Sequence, residues 1–70
     1  MQYLVEWASG AFQIMTLDQL NRELDEWKQS PPILYRLIPN QPPKRYWIIW
    51  GKNREYWYLE DRYGNHVMCI

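Results

Sequence analysis

One cysteine, one histidine, three glycines and no excess of either charge leave this 70-residue chain short of most chemical ingredients. With Cys69 alone, no intrachain disulfide can form, and an intracellular, cytoplasmic location is the simpler expectation. His66 stands three residues from that thiol, a spacing that on a regular strand sends the two side chains to opposite faces. They are therefore not expected to act together as nucleophile and base, or as metal ligands. Gly10, Gly51 and Gly64 fall in separate turns, so no glycine cluster cradles a phosphate. Asp25-Glu26 and Glu60-Asp61 are adjacent carboxylates, and neighbours on a helix or strand diverge rather than pair for acid–base work. The expectation is a chain with no enzyme activity, catalytic residue, metal or cofactor.

Other absences narrow the class further. Eight Lys and Arg balance eight Asp and Glu, which argues against a strongly basic nucleic-acid binder and against an acidic mimic of one. No apolar run approaches the roughly 20 residues a spanning helix needs. The start, MQYLVEWASG, has no basic segment ahead of an apolar one, so neither a signal peptide nor a membrane contact is expected.

What the chain does have is rings. Five Trp, six Tyr and one Phe make 17% of the residues aromatic, and 47% are apolar, which excludes a disordered tail. The length allows one domain, residues 1–70, below the size at which a single core comfortably stabilises a fold. Large rings are a substitute for the missing disulfides.

Hydrophobic periodicity orders the elements. Tyr3 to Trp7 and Ala11 to Met15 both alternate, with Ser9-Gly10 between them as a two-residue turn. Closing it there sets Trp7 opposite Phe12, Val5 opposite Ile14 and Glu6 opposite Gln13, so one face collects Tyr3, Val5, Trp7, Phe12 and Ile14. Thr16 and Gln19 then form a capping box, with Met15 and Leu20 at the staple positions. Leu17, Leu20, Leu24 and Trp27 make one apolar stripe, Asp18, Arg22 and Glu26 make charge pairs four apart, and Ser30-Pro31-Pro32 stops the helix at about Gln29. Ile33 to Ile38 is a short strand fenced by prolines, which favour an edge position.

In the last third, Arg45 to Trp50 and Tyr56 to Arg62 flank a loop over Gly51 to Arg54, and Gly64-Asn65 precedes a final strand from His66 to Ile70. Opposite charges select a register with Lys44 facing Asp61, Arg45 facing Glu60, Trp47 facing Tyr58 and Ile49 facing Tyr56. The last turn then sets Arg62 against Val67, Asp61 against Met68 and Glu60 against Cys69. The expected fold class is α+β: a single, mainly antiparallel sheet of five to six short strands with one helix on one face, in the order ββαβββ with a final short strand.

Parity sorts the C-terminal side chains. One face, assigned to the core beneath the helix, carries Tyr46, Ile48, Trp50, Trp57, Leu59, Tyr63, Met68 and Ile70. The other carries Arg45, Trp47, Ile49, Tyr56, Tyr58, Glu60, Arg62, Val67 and Cys69. A helix of about 13 residues is roughly 20 Å long and covers one face only. The second face is therefore expected to meet solvent, with Arg45, Trp47, Ile49, Tyr56, Tyr58 and Arg62 as a partner-binding site. Its composition of Trp, Tyr and Arg is that of binding hot spots, although such rings also serve simply to zip strands together. A protein partner is the first expectation, foreign or a second copy in a homodimer, for an adaptor, inhibitor or regulatory subunit. The alternative is single-stranded nucleic acid stacked on the same face. Residues 31–70 hold six basic and three acidic residues and eight of the twelve rings, with Lys44, Arg45, Lys52, Arg54 and Arg62 available for phosphates.

Overall fold

The computed structural model describes residues 1–53 and 55–70. The described elements are β1 (Gln2–Glu6), β2 (Phe12–Thr16), α1 (Leu17–Arg22), α2 (Leu24–Trp27), β3 (Ile33–Arg36), β4 (Lys44–Gly51), β5 (Tyr56–Glu60) and β6 (His66–Cys69). The strands form one sheet in the order β2-β1-β3-β4-β5-β6, with every pair antiparallel. The α+β class and the order of elements are as expected. Among the described residues no helix is long and apolar enough to cross a membrane.

The helix starts as its sequence dictates. The Thr16 hydroxyl accepts the Gln19 N–H at 3.1 Å, and the Gln19 side chain accepts the Thr16 N–H at 2.8 Å, closing the capping box. It does not run unbroken to Gln29. The Leu20 carbonyl, which a continuous helix would offer to Leu24, instead accepts the Glu23 N–H at 3.1 Å and the Trp27 indole N–H at 2.7 Å. A side chain inserted into the ladder breaks it, leaving two short helices that meet at Glu23. The expected pairs through Arg22 are replaced on this surface by Lys28–Asp25 at 3.2 Å.

Two hairpins correct the expected registers for one reason. In β1–β2 the Trp7 N–H donates to the Ala11 carbonyl and the Gly10 N–H to the Trp7 carbonyl, with Gly10 at φ +91°. In β5–β6 the Asp61 N–H donates to the Asn65 carbonyl and the Gly64 N–H to the Asp61 carbonyl, with Gly64 at φ +80°. Both are three-residue loops that end in a left-handed glycine, not two-residue turns. In the first hairpin Glu6 faces Phe12, Val5 faces Gln13 and Leu4 faces Ile14. The one-residue shift sends Phe12 and Ile14 away from the core, 58% and 59% exposed.

β4 and β5 shift by two residues, which preserves parity. Trp47 faces Glu60, Ile49 faces Tyr58 and Gly51 faces Tyr56. Lys52, Asn53 and Glu55 lie in the turn, Glu55 takes φ +55°, and its N–H donates to the Gly51 carbonyl at 2.8 Å. The position assigned to Arg54 in that loop lies outside the described residues. The expected charge pairs of Lys44 with Asp61 and Arg45 with Glu60 are not formed. Those two cations instead face Arg36 and Tyr35 across β3. β3 itself is a central strand, not an edge, because Pro31, Pro32 and Pro39 stand outside its four paired residues.

The core lies on one side of the sheet: Tyr3, Val5 and Met15 from the first hairpin, Leu34, Tyr46, Ile48 and Leu59 from the centre, and Leu20 and Trp27 from the helices. Trp27 meets Trp57 edge to face at 5.1 Å, and Trp57 meets Trp50 at 5.3 Å. Of the rings assigned to the core, Phe12 lies on the other side, and Trp50 and Tyr63 are 43% and 76% exposed. The sheet curls around this core. Tyr3 on β1 donates to the Met68 thioether on β6 at 3.9 Å, although four strand spacings flat would be about 19 Å. The helix side is concave and the opposite side convex.

An added Cβ at Gly10 or Gly64 meets nothing within 4 Å, so only backbone conformation resists substitution. Gly10→Ala and Gly64→Ala should each lower the urea midpoint by the equivalent of about 1 kcal/mol with an unchanged slope. Trp27→Ala should cost about 3–5 kcal/mol, comparable to the whole stability of a domain this small, and abolish the folding transition.

Candidate functional site: the convex aromatic face

Side chains that alternate away from the core form a continuous surface over all six strands. Reading across the registers, one row runs Phe12, Glu6, Ile33, Trp47, Glu60 and His66. A second runs Ile14, Leu4, Tyr35 and Arg45, and a third Ile49, Tyr58 and Cys69. Both short helices lie on the concave side, and none of these residues is fully buried. The surface is wider than expected, because the shifted first hairpin adds Phe12 and Ile14 to it.

Two polar clusters interrupt the apolar surface. In the first, the Arg45 guanidinium lies 5.5 Å from the centre of the Tyr35 ring and 5.7 Å from that of Trp47. The Tyr35 hydroxyl donates to Glu6 at 2.6 Å, and that bond is the main reason its proton is held more tightly than in an ordinary phenol. In the second, Tyr58 packs against His66 at 4.8 Å, and Tyr56 lies edge-on to both at 6.3 Å. The Tyr58 hydroxyl reaches Glu60 at 3.4 Å.

Of the six residues expected to bind a partner, Arg45, Trp47, Ile49, Tyr56 and Tyr58 share this face. Trp47 and Tyr58 are diagonal rather than opposite. Arg62 lies off the strands, in the β5–β6 turn over the Tyr63 ring at 5.2 Å, and lines a cleft at the sheet end together with Arg45 and Trp47. Phe12, Ile14, Tyr35 and His66 were missed as members of the face. Gly10 carried the signal for the first two, since a glycine closing a three-residue loop moves the whole of β2 by one position.

His66 and Cys69 also require a correction. The β5–β6 register slips between Leu59 and Glu60: Glu60 faces His66 while Leu59 faces Met68, so Val67 is an extra residue. That bulge restores His66 and Cys69 to one face, with Sγ and Nε2 4.0 Å apart and both residues exposed. The neighbours of the thiol are thus His66 and Tyr58, not Arg62 and Val67. Among the described residues no group of three or more His, Cys, Asp and Glu is placed to hold a metal ion.

The β5–β6 turn is built around one carboxylate. Asp61 accepts the backbone N–H groups of Tyr63 and Asn65, both at 2.9 Å, and the Asn65 side-chain amide at 3.4 Å. The Asn65 bond is the largest cause holding the Asp61 carboxyl below the usual carboxylate range. No family model matches the chain, and no curated protein or solved structure matches it.

A carboxyl with a lowered pKa stabilises the fold above its unfolded-state value, and the contribution fades as pH falls through the folded-state value. The Asn65 amide should therefore keep its hydrogen-exchange protection through neutral and mildly acidic pH and lose it only as pH falls below the usual carboxylate range, after correction for intrinsic rates. In Asp61→Asn that pH dependence should be absent.

Proposed function

We propose that the chain is a small, non-enzymatic protein-binding module, an adaptor, inhibitor or regulatory subunit that acts by occupying a partner's surface. The observation that carries the reading is the uncovered convex face. Six strands present contiguous rings and aliphatic side chains there, and both helices lie on the other side. Exposed apolar surface of this extent in a small domain characterises interaction sites. Trp47, Tyr56 and Tyr58 are large, stiff anchors, and Arg45, Glu6 and Glu60 interrupt them with fixed polar contacts.

The convex shape favours a partner that offers a groove over a flat one. A second copy of the chain, meeting it face to face, is the other candidate, and the single cysteine suits a cytoplasmic setting.

The test pairs two measurements. Light scattering of the purified chain reports self-association, and affinity capture compares wild type with Trp47→Ala/Tyr58→Ala. Anchors of this kind cost about 2 kcal/mol or more when truncated, so the double variant should weaken association at least about thirtyfold. Its circular dichroism should remain native, because both side chains are only half-buried. An association that survives the double substitution unchanged would reduce the face to strand-to-strand packing.

A further inference from the structure

At the end of the sheet where β3 leaves and β4 returns, the loop between them and the β5–β6 turn enclose an open cleft of about 1040 Å³. Arg36, Lys44, Arg45 and Arg62 line it, half of the eight Lys and Arg residues. One carboxylate, Asp61, also lines the cleft, and its oxygens are turned into the β5–β6 turn by the amides of Tyr63 and Asn65. Among the described residues, none of the four cations takes part in an ion pair.

The arrangement opposes folding. Arg36 and Lys44 are direct partners across β3 and β4, and like charges directly opposite are destabilising. The two-residue shift of β5 removes the carboxylates that would otherwise face Lys44 and Arg45. A cost of this sort is explained when something outside the chain supplies the missing negative charge.

Rings stand among the cations. Arg45 lies over Tyr35 and Trp47, Arg62 lies over Tyr63, and Tyr63 as a residue is 76% exposed. The prolines Pro42 and Pro43 form a stiff lip. An acidic peptide would use the charges and leave the rings idle. Alternating cations and flat rings suit a backbone of phosphates carrying bases that stack.

We propose that this cleft binds single-stranded nucleic acid, the phosphates meeting Arg36, Lys44, Arg45 and Arg62 and a base stacking on Tyr63. The site is at the sheet end and meets the convex face at Tyr35, Arg45 and Trp47, whereas Arg36, Lys44, Arg62 and Tyr63 lie outside that face, and the reading does not depend on a protein partner.

The probe is a fluorescent oligothymidylate of about ten nucleotides, followed by anisotropy at low and rising salt. Three to four phosphate contacts give a log–log salt slope of about −2 to −3, a loss of about 20- to 50-fold between 50 and 200 mM salt. Lys44→Glu places a carboxylate opposite Arg36. Binding should fall at least tenfold while Tm stays at or above the wild-type value, which separates a lost site from a lost fold. Tyr63→Ala should weaken oligothymidylate and leave polyglutamate of equal charge unaffected. Ile49→Ala/Tyr58→Ala, at two convex-face positions outside the cleft, should weaken protein association and leave oligothymidylate binding unchanged, so either reading can fail alone. No binding at low salt, binding indifferent to Lys44→Glu, or polyglutamate held as tightly as oligothymidylate would overturn the proposal.

Discussion

The bond from the Trp27 indole to the Leu20 carbonyl ties the helical layer together, and the rest of the fold depends on it. It takes over an acceptor that the helix backbone would otherwise use, breaks the helix at Glu23, and turns the indole onto Trp57 in the sheet. Trp27 is 2% exposed and is the largest fully buried side chain. In a chain with no disulfide, one ring thus joins the two helices to each other and both to the sheet. The curl of the strands follows, because a small core of this shape is covered only if the sheet bends toward it.

Curvature separates the roles of the rings. Those on the concave side, Tyr3, Trp27, Tyr46 and Trp57, interlock at centroid distances of 5.1 to 6.3 Å and serve the core. Those on the convex side pack against one another and against Arg45 and His66, on the side of the sheet away from both helices. The high aromatic content therefore serves cohesion on one side and display on the other.

The parts of the fold that depend on period were legible in the sequence, and those that depend on count were not. Alternation by two gave the right sides for Trp47, Ile49, Tyr56 and Tyr58, although the pairing of β4 with β5 was two residues out. A shift of two exchanges partners without changing sides. A shift of one is unforgiving, and the glycine-terminated loop after Trp7 carried Phe12 and Ile14 to the opposite side. The bulge at Val67 reversed the expected separation of His66 and Cys69 for the same reason. Complementary charges misled the reading of Lys44 and Arg45, since apolar fit between β4 and β5 outweighs exposed ion pairs worth little in water. The cleft was invisible until the strands were placed, because its four cations come from β3, β4 and the β5–β6 turn.

The bulge at Val67 also makes the two ends of the sheet unequal. β6 is the outermost strand on its side, and the extra residue kinks it and breaks the regular spacing of its outward amides and carbonyls. β2, outermost on the other side, is five uncharged residues, Phe12-Gln13-Ile14-Met15-Thr16, with no proline and no slip in its ladder. Natural sheets blunt such borders with charges, prolines or kinks, and here only one border is blunted. Accretion of a further extended chain is thus hindered beside β6 and unopposed beside β2, which gives the sheet a single direction in which it can grow.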